Sequence, residues 1–177
     1  HSFPTRRSSD LHQANDFFRA TGAHTVLQYK EVNESLLRTR NSGGFQLLGL
    51  ADFPGQGSAF VGILDAFWES KGLVTPEKFR ESCAPTVLLA RLPKRTFRNG
   101  EKLKAKMEIY HFGKDALNSR KLNWTLTGED GTVYHKGSLK TKSIQPATVD
   151  SLGIIELPLN GMDSARKLTL KAELGGI

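Results

Sequence analysis

Residues Gly44–Phe53 read GFQLLGLADF, and the reading of this stretch decides the fold. It is a near-continuous apolar run with turn-forming residues on both sides. Such a run fits a strand buried on both faces, the kind found in parallel sheets. Its neighbours extend the reading. ANDFFRATG reads as a helix tail ending at Gly22, which takes the residue just past the helix end. HTVLQY, His24–Tyr29, is short and rich in β-formers. VNESLLRTR can place Val32, Leu36 and Leu37 on one helical face. TPEKFRESC starts with Thr75 as an N-cap and Pro76 at the first helical position. The order helix, strand, helix, strand, loop, helix predicts parallel strands with crossover helices, an α/β arrangement over residues 12–92.

The rest of the chain has a different period. TVLLARL, LKAKMEIYHF, KLNWTLTG, TVYHKGSL, LGIIELPL and RKLTLKAEL are short, and several alternate apolar and polar residues. RNGE, GEDG and PLNGM separate them, and GEDG is the length of a hairpin loop. This pattern predicts an antiparallel β-sandwich, immunoglobulin-like in class. A change in charge puts the domain boundary near Pro93. Residues 12–93 carry eight basic and eight acidic side chains, whereas residues 94–177 carry fifteen and nine. The expected domains are therefore 12–92 and 93–177.

The formal charge of +7 raises the question of nucleic acid. In LKAKMEIYHF, however, the lysines alternate with apolar residues, as on the wet face of a strand. No nucleic-acid partner is expected. No apolar run is long enough to span a membrane, and the single Cys83 excludes an internal disulfide. The five histidines have no metal-ligand spacing. PGQGSAF lacks the Gly-Lys-Ser/Thr of a phosphate loop and no dinucleotide spacing is present, so no cofactor is expected. The sequon Asn123-Trp124-Thr125 falls inside a strand pattern and is read as incidental.

Residues 1–11, HSFPTRRSSDL, have neither helical nor strand period. Reverse-translated, they resemble the end of a short-read sequencing adapter, and they are set aside from the fold. The first methionine is Met107. Together these features lead to the expectation of an internal piece of a longer gene.

GGFQLLGLADF followed by SKGLVTPEKF resembles the last barrel strand and following loop of family 2 glycoside hydrolases, the β-galactosidase and β-glucuronidase group. The stretches YKE, LLRT, GFQLL, DFPGQG and LDAFW are similar to the sugar-binding-domain hydrolases of gut-type Bacteroidetes. The resemblance implies that residues 12–92 are the last units of a (β/α)8 barrel, followed by the sandwich. It implies a carbohydrate substrate and a parent enzyme that is periplasmic or extracellular. Retaining chemistry in this family needs two carboxyls about 5–5.5 Å apart, one as nucleophile and one as acid/base.

By the resemblance, HTVLQY is the seventh barrel strand and Glu31 the nucleophile-equivalent, with Glu34 the second choice. The substrate-binding residues are Asp52 and Phe53, which face the sugar, with Gln56, Trp68 and Lys71, the last in a Lys-Gly pair. Leu48 stands where the family often has a tryptophan platform, a role that Trp68 would take over. Glu69 replaces the asparagine of glucuronidase-like loops, so uronic-acid specificity is not supported. The acid/base glutamate lies on a strand outside this chain, and the chain is expected to be inactive by itself. The family's Glu-Tyr-Gly or Glu-Phe-Gly triplet is also absent. That leaves an alternative, a non-catalytic carbohydrate-binding or scaffold protein. A third reading is an independent sandwich that binds a partner.

Overall fold

The computed structural model describes residues 12–55 and 61–175. The chain divides after Ser82 into two compact units. The first holds a long helix α1 (Ala14–Leu37) and a short helix α2 (Pro76–Arg80). The second holds strands β1 (Thr86–Arg91), β2 (Lys102–His111), β3 (Lys121–Gly128), β4 (Val133–Lys140), β5 (Thr148–Pro158) and β6 (Leu168–Leu174).

The first unit corrects the α/β expectation. No part of a (β/α)8 barrel is present among the described residues. HTVLQY is not a strand but the middle of α1, which runs for 24 residues. Gly22 does not end a helix; it is buried within this one. A Cβ on Gly22 would come within 2.2 Å of Leu73 Cδ2, so the bare backbone there makes room for the leucine. GFQLLGLADF is irregular as well. Outside the named strands, Ala51 forms an isolated parallel bridge to Leu64, and Leu64 an antiparallel one to Ser70. Gly44 and Gly49 take φ of 118° and 82°, which breaks the extended run. Leu48 is 94% exposed, the opposite of a strand covered on both faces.

Helix α2 starts as its residues dictate. Thr75 accepts a hydrogen bond from the Lys78 N–H at 3.2 Å, and Pro76 opens the helix. The cap and the proline satisfy or remove donors that a helix start leaves orphaned.

In the second unit all six short stretches are strands. They form two three-stranded sheets, ordered β1-β2-β5 and β4-β3-β6, and every pairing is antiparallel. Alternation sends Leu103, Ala105, Met107 and Ile109 of β2 to one side, and Leu122 and Leu126 of β3 meet them in a common core with Ile155 and Leu174. GEDG makes the turn between β3 and β4. Gly128 N–H reaches Thr132 O at 2.9 Å, Asp130 accepts from Thr132 N–H at 3.0 Å, and Gly131 takes φ of 81°.

His111 is a buried polar residue of this core, 2% exposed. Its Nε2 lies 2.9 Å from the Asp115 carbonyl, so Nε2 carries the proton; Nδ1 then accepts from the Thr86 hydroxyl at 2.8 Å. Both ring nitrogens are satisfied, which removes the cost of burying them.

Truncating Leu122, 0% exposed, to alanine is expected to cost about 2–5 kcal/mol through lost burial and an unfilled cavity. Gly137→Ala is expected to cost about 1–3 kcal/mol, because its Cβ would lie 2.4 Å from the Trp124 ring. Chemical denaturation read by near-ultraviolet circular dichroism checks both.

Candidate functional site

The residues singled out in the sequence occupy different environments in the first unit. Glu31 is exposed on α1, while Glu34 is 6% exposed. Glu34 is bound by Lys30 at 2.6 Å and Arg38 at 2.7 Å, one helical turn away on either side. Two cations on one carboxylate neutralise it and occupy both its oxygens. Neither glutamate sits at the end of a barrel strand, because the segment preceding them is helical. Gln56 lies outside the described residues.

Asp52 and Lys71, 19 residues apart, come together. The Lys71 ammonium is 2.8 Å from Asp52 Oδ1 and 2.7 Å from Oδ2. Asp52 Oδ1 also accepts the Gly62 N–H at 2.9 Å, and Lys71 donates to the Gly62 carbonyl at 2.9 Å. Both side chains are largely buried, with 6% of Asp52 and 13% of Lys71 exposed. Burial raises the Asp52 carboxyl, but the Lys71 ammonium and the Gly62 amide outweigh it and hold its pKa below the ordinary value. Gly62 has no room for a side chain: a Cβ would stand 2.4 Å from the Ala51 carbonyl carbon. Sequence reading missed Gly62, because the close backbone approach that it permits appears only in the fold.

Beside this latch, the segment Asp65–Glu69 closes on itself. Asp65 Oδ1 accepts the N–H groups of Phe67 at 2.8 Å and Glu69 at 2.9 Å. The Asp65 amide donates to Glu69 O, and the Trp68 amide to Asp65 O. The closure puts Trp68 at φ of 68°, the left-handed region. Phe67 and Trp68 are 84% and 69% exposed, and Phe53 is 58% exposed. Asp65 is the second residue that sequence reading missed; an aspartate capping amides two and four residues on is a readable turn signal.

A cavity of about 500 Å³ lies along α1, lined by Thr21, Thr25, Tyr29 and Val32 of the helix and by Val61 and Lys71. Among the described residues, no group of three or more His, Cys, Asp or Glu is placed to hold a metal ion. Among the same residues, no helix is long and apolar enough to cross a membrane.

Residues 101–177 match the model of a family described as a domain of unknown function, DUF8488. The matched segment starts just before β2 and runs through β6. No curated protein matches the chain.

The Asp52 contribution to stability follows from the depressed pKa. It is complete above the ordinary carboxylate value of about 3.9 and is lost as pH falls through the lower folded value. Amide protection factors at residues 50–55 and 61–72 are therefore expected to fall only below about pH 4. Lys71→Met leaves the carboxylate desolvated and unpaired. It is expected to cost about 2 kcal/mol at neutral pH and to move the acid loss to higher pH.

Proposed function

We propose that this chain is a carbohydrate-binding module that takes a sugar ring on Trp68 and cleaves no glycosidic bond by itself. The observation that carries the reading is the conformation of Trp68. A residue with a β-carbon adopts left-handed backbone at a cost of about 1–2 kcal/mol. Here the cost is borne by a large aromatic side chain that is 69% exposed, so packing gives nothing back. Strain held in place by surrounding hydrogen bonds concentrates at binding sites. The flat indole offers its electron-rich face to the C–H groups of a pyranose.

Hydrolysis needs two carboxyls about 5–5.5 Å apart, in retaining enzymes, with one free to act as nucleophile. Glu34 and Asp52 are each engaged by cations. The sequence likeness to family 2 glycoside hydrolases supports placing the module with a retaining β-glycosidase whose acid/base glutamate lies outside this chain.

Titration calorimetry with neutral β-linked cello-, xylo- and galacto-oligosaccharides tests the reading. Trp68→Ala is expected to weaken binding more than tenfold. Trp68→Gly is expected to abolish binding while raising stability by about 1 kcal/mol, because glycine accepts that φ without strain. Affinities within twofold of the parent chain in both variants would sink the proposal.

A further inference from the structure

The two sheets of the second unit treat their outward cations in opposite ways. On β1-β2-β5, Lys102 and Lys104 reach Glu156, at 3.4 and 3.8 Å. Lys106 and Arg91 converge on Glu108, at 2.9 and 3.3 Å. Burial raises the Glu108 carboxyl, yet these two cations hold it below its ordinary value. The outward positive charge of that sheet is paired with carboxylates.

On β4-β3-β6 it is not. Leu122 and Leu126 of β3 point to the core, so Lys121, Asn123 and Thr125 point the other way. The register sets Lys121 opposite Lys140, Asn123 between Ser138 and Glu173, and Thr125 between Lys136 and Lys171. All four lysines are exposed, and none has an ion-pair or hydrogen-bond partner among the described residues. Like charges set directly opposite one another destabilise a strand pair. The Lys136–Thr125–Lys171 row spans three strands, putting the backbones that carry the two lysines about 9–10 Å apart at ordinary strand spacing.

We infer that the outer face of the β4-β3-β6 sheet binds an anionic polysaccharide. The choice of a glycan rests on the carbohydrate reading above, and the chemistry of the face agrees with it. Between the lysines stand the Ser138 and Thr125 hydroxyls and the Asn123 amide, which exchange hydrogen bonds with sugar hydroxyls, and a single carboxylate, Glu173. Among the described residues the outward rows of β3, β4 and β6 carry no aromatic ring on which a base would stack and no arginine to fork a phosphate, which single-stranded nucleic-acid sites use.

Affinity electrophoresis of the full chain at low ionic strength, with dextran sulfate against neutral dextran, tests this inference. Dextran sulfate is expected to bind, more weakly as salt rises, and neutral dextran is not. Replacing Lys121, Lys136, Lys140 and Lys171 together by glutamine is expected to weaken binding at least tenfold. Replacing the paired Lys102 and Lys104 by glutamine is expected to change it less than threefold. Should the fourfold variant fail to fold, Lys136→Gln with Lys171→Gln reads the same face through a smaller loss. Equal loss in the Lys102/Lys104 variant, binding retained in the face variants, or duplex DNA bound as tightly as dextran sulfate would each overturn the inference. Failure of the aromatic platform is read from the Trp68 variants with neutral oligosaccharides, and failure of this face from the lysine variants with dextran sulfate, so the two are read apart.

Discussion

The Lys71 ammonium bridging Asp52 and the Gly62 carbonyl is the contact on which the first unit depends. Between α1 and α2 the described residues of that unit have almost no regular structure, and their irregular backbone cannot satisfy itself by a ladder. One cation joins three points of the chain that are far apart in sequence. Because Gly62 carries no side chain, the backbone around Ala51 and Asp52 can lie against it, and the carboxylate then reaches the amide. The Ala51–Leu64 bridge and the closed turn at Asp65 follow directly along the chain from that junction. A neutral residue at either end of the ion pair would leave the other charge desolvated, which is why the pair acts as a unit.

How much was legible in the sequence differs between the two units for a physical reason. Period-two alternation is a local property, and in the second unit it states which side of each strand meets the core. LKAKMEIYHF and KLNWTLTG could be read without knowing their partners. An apolar run such as GFQLLGLADF carries no such information. Whether it becomes a buried strand depends on other strands arriving on both sides, and here the nearest partner is a bridge of one residue pair. HTVLQY failed in the opposite direction. Its β-branched residues favour a strand, but the helical segments on both sides continue through it, and cooperativity along α1 overrides the local preference. Gly22 was read as a stop because glycine usually is one; the packing of Leu73 against it is a contact across 51 positions that no local pattern contains.

The candidate site shows the same division. Asp52, Lys71 and Trp68 were reached through likeness to a family, and the structure gives them distinct roles. The first two form a structural latch, while Trp68 is held outward by a turn. What the likeness did not carry was Asp65, whose side chain sets the turn, or the helical setting of Glu31 and Glu34. The surface lysines were legible as residues but not as a pattern. Their isolation appears only when the register of β3 against β4 and β6 places cation beside cation.

The buried histidine of the second unit has a consequence for watching this molecule move. The Nε2 proton of His111 is committed to the Asp115 carbonyl, and the ring is shut away from water. That proton exchanges with solvent only when the ring leaves its Asp115 and Thr86 partners. Nitrogen-bound imidazole protons are normally lost to exchange within moments; this one is a built-in clock for the opening of the core, placed where β1 and β2 meet and separable from every backbone amide signal.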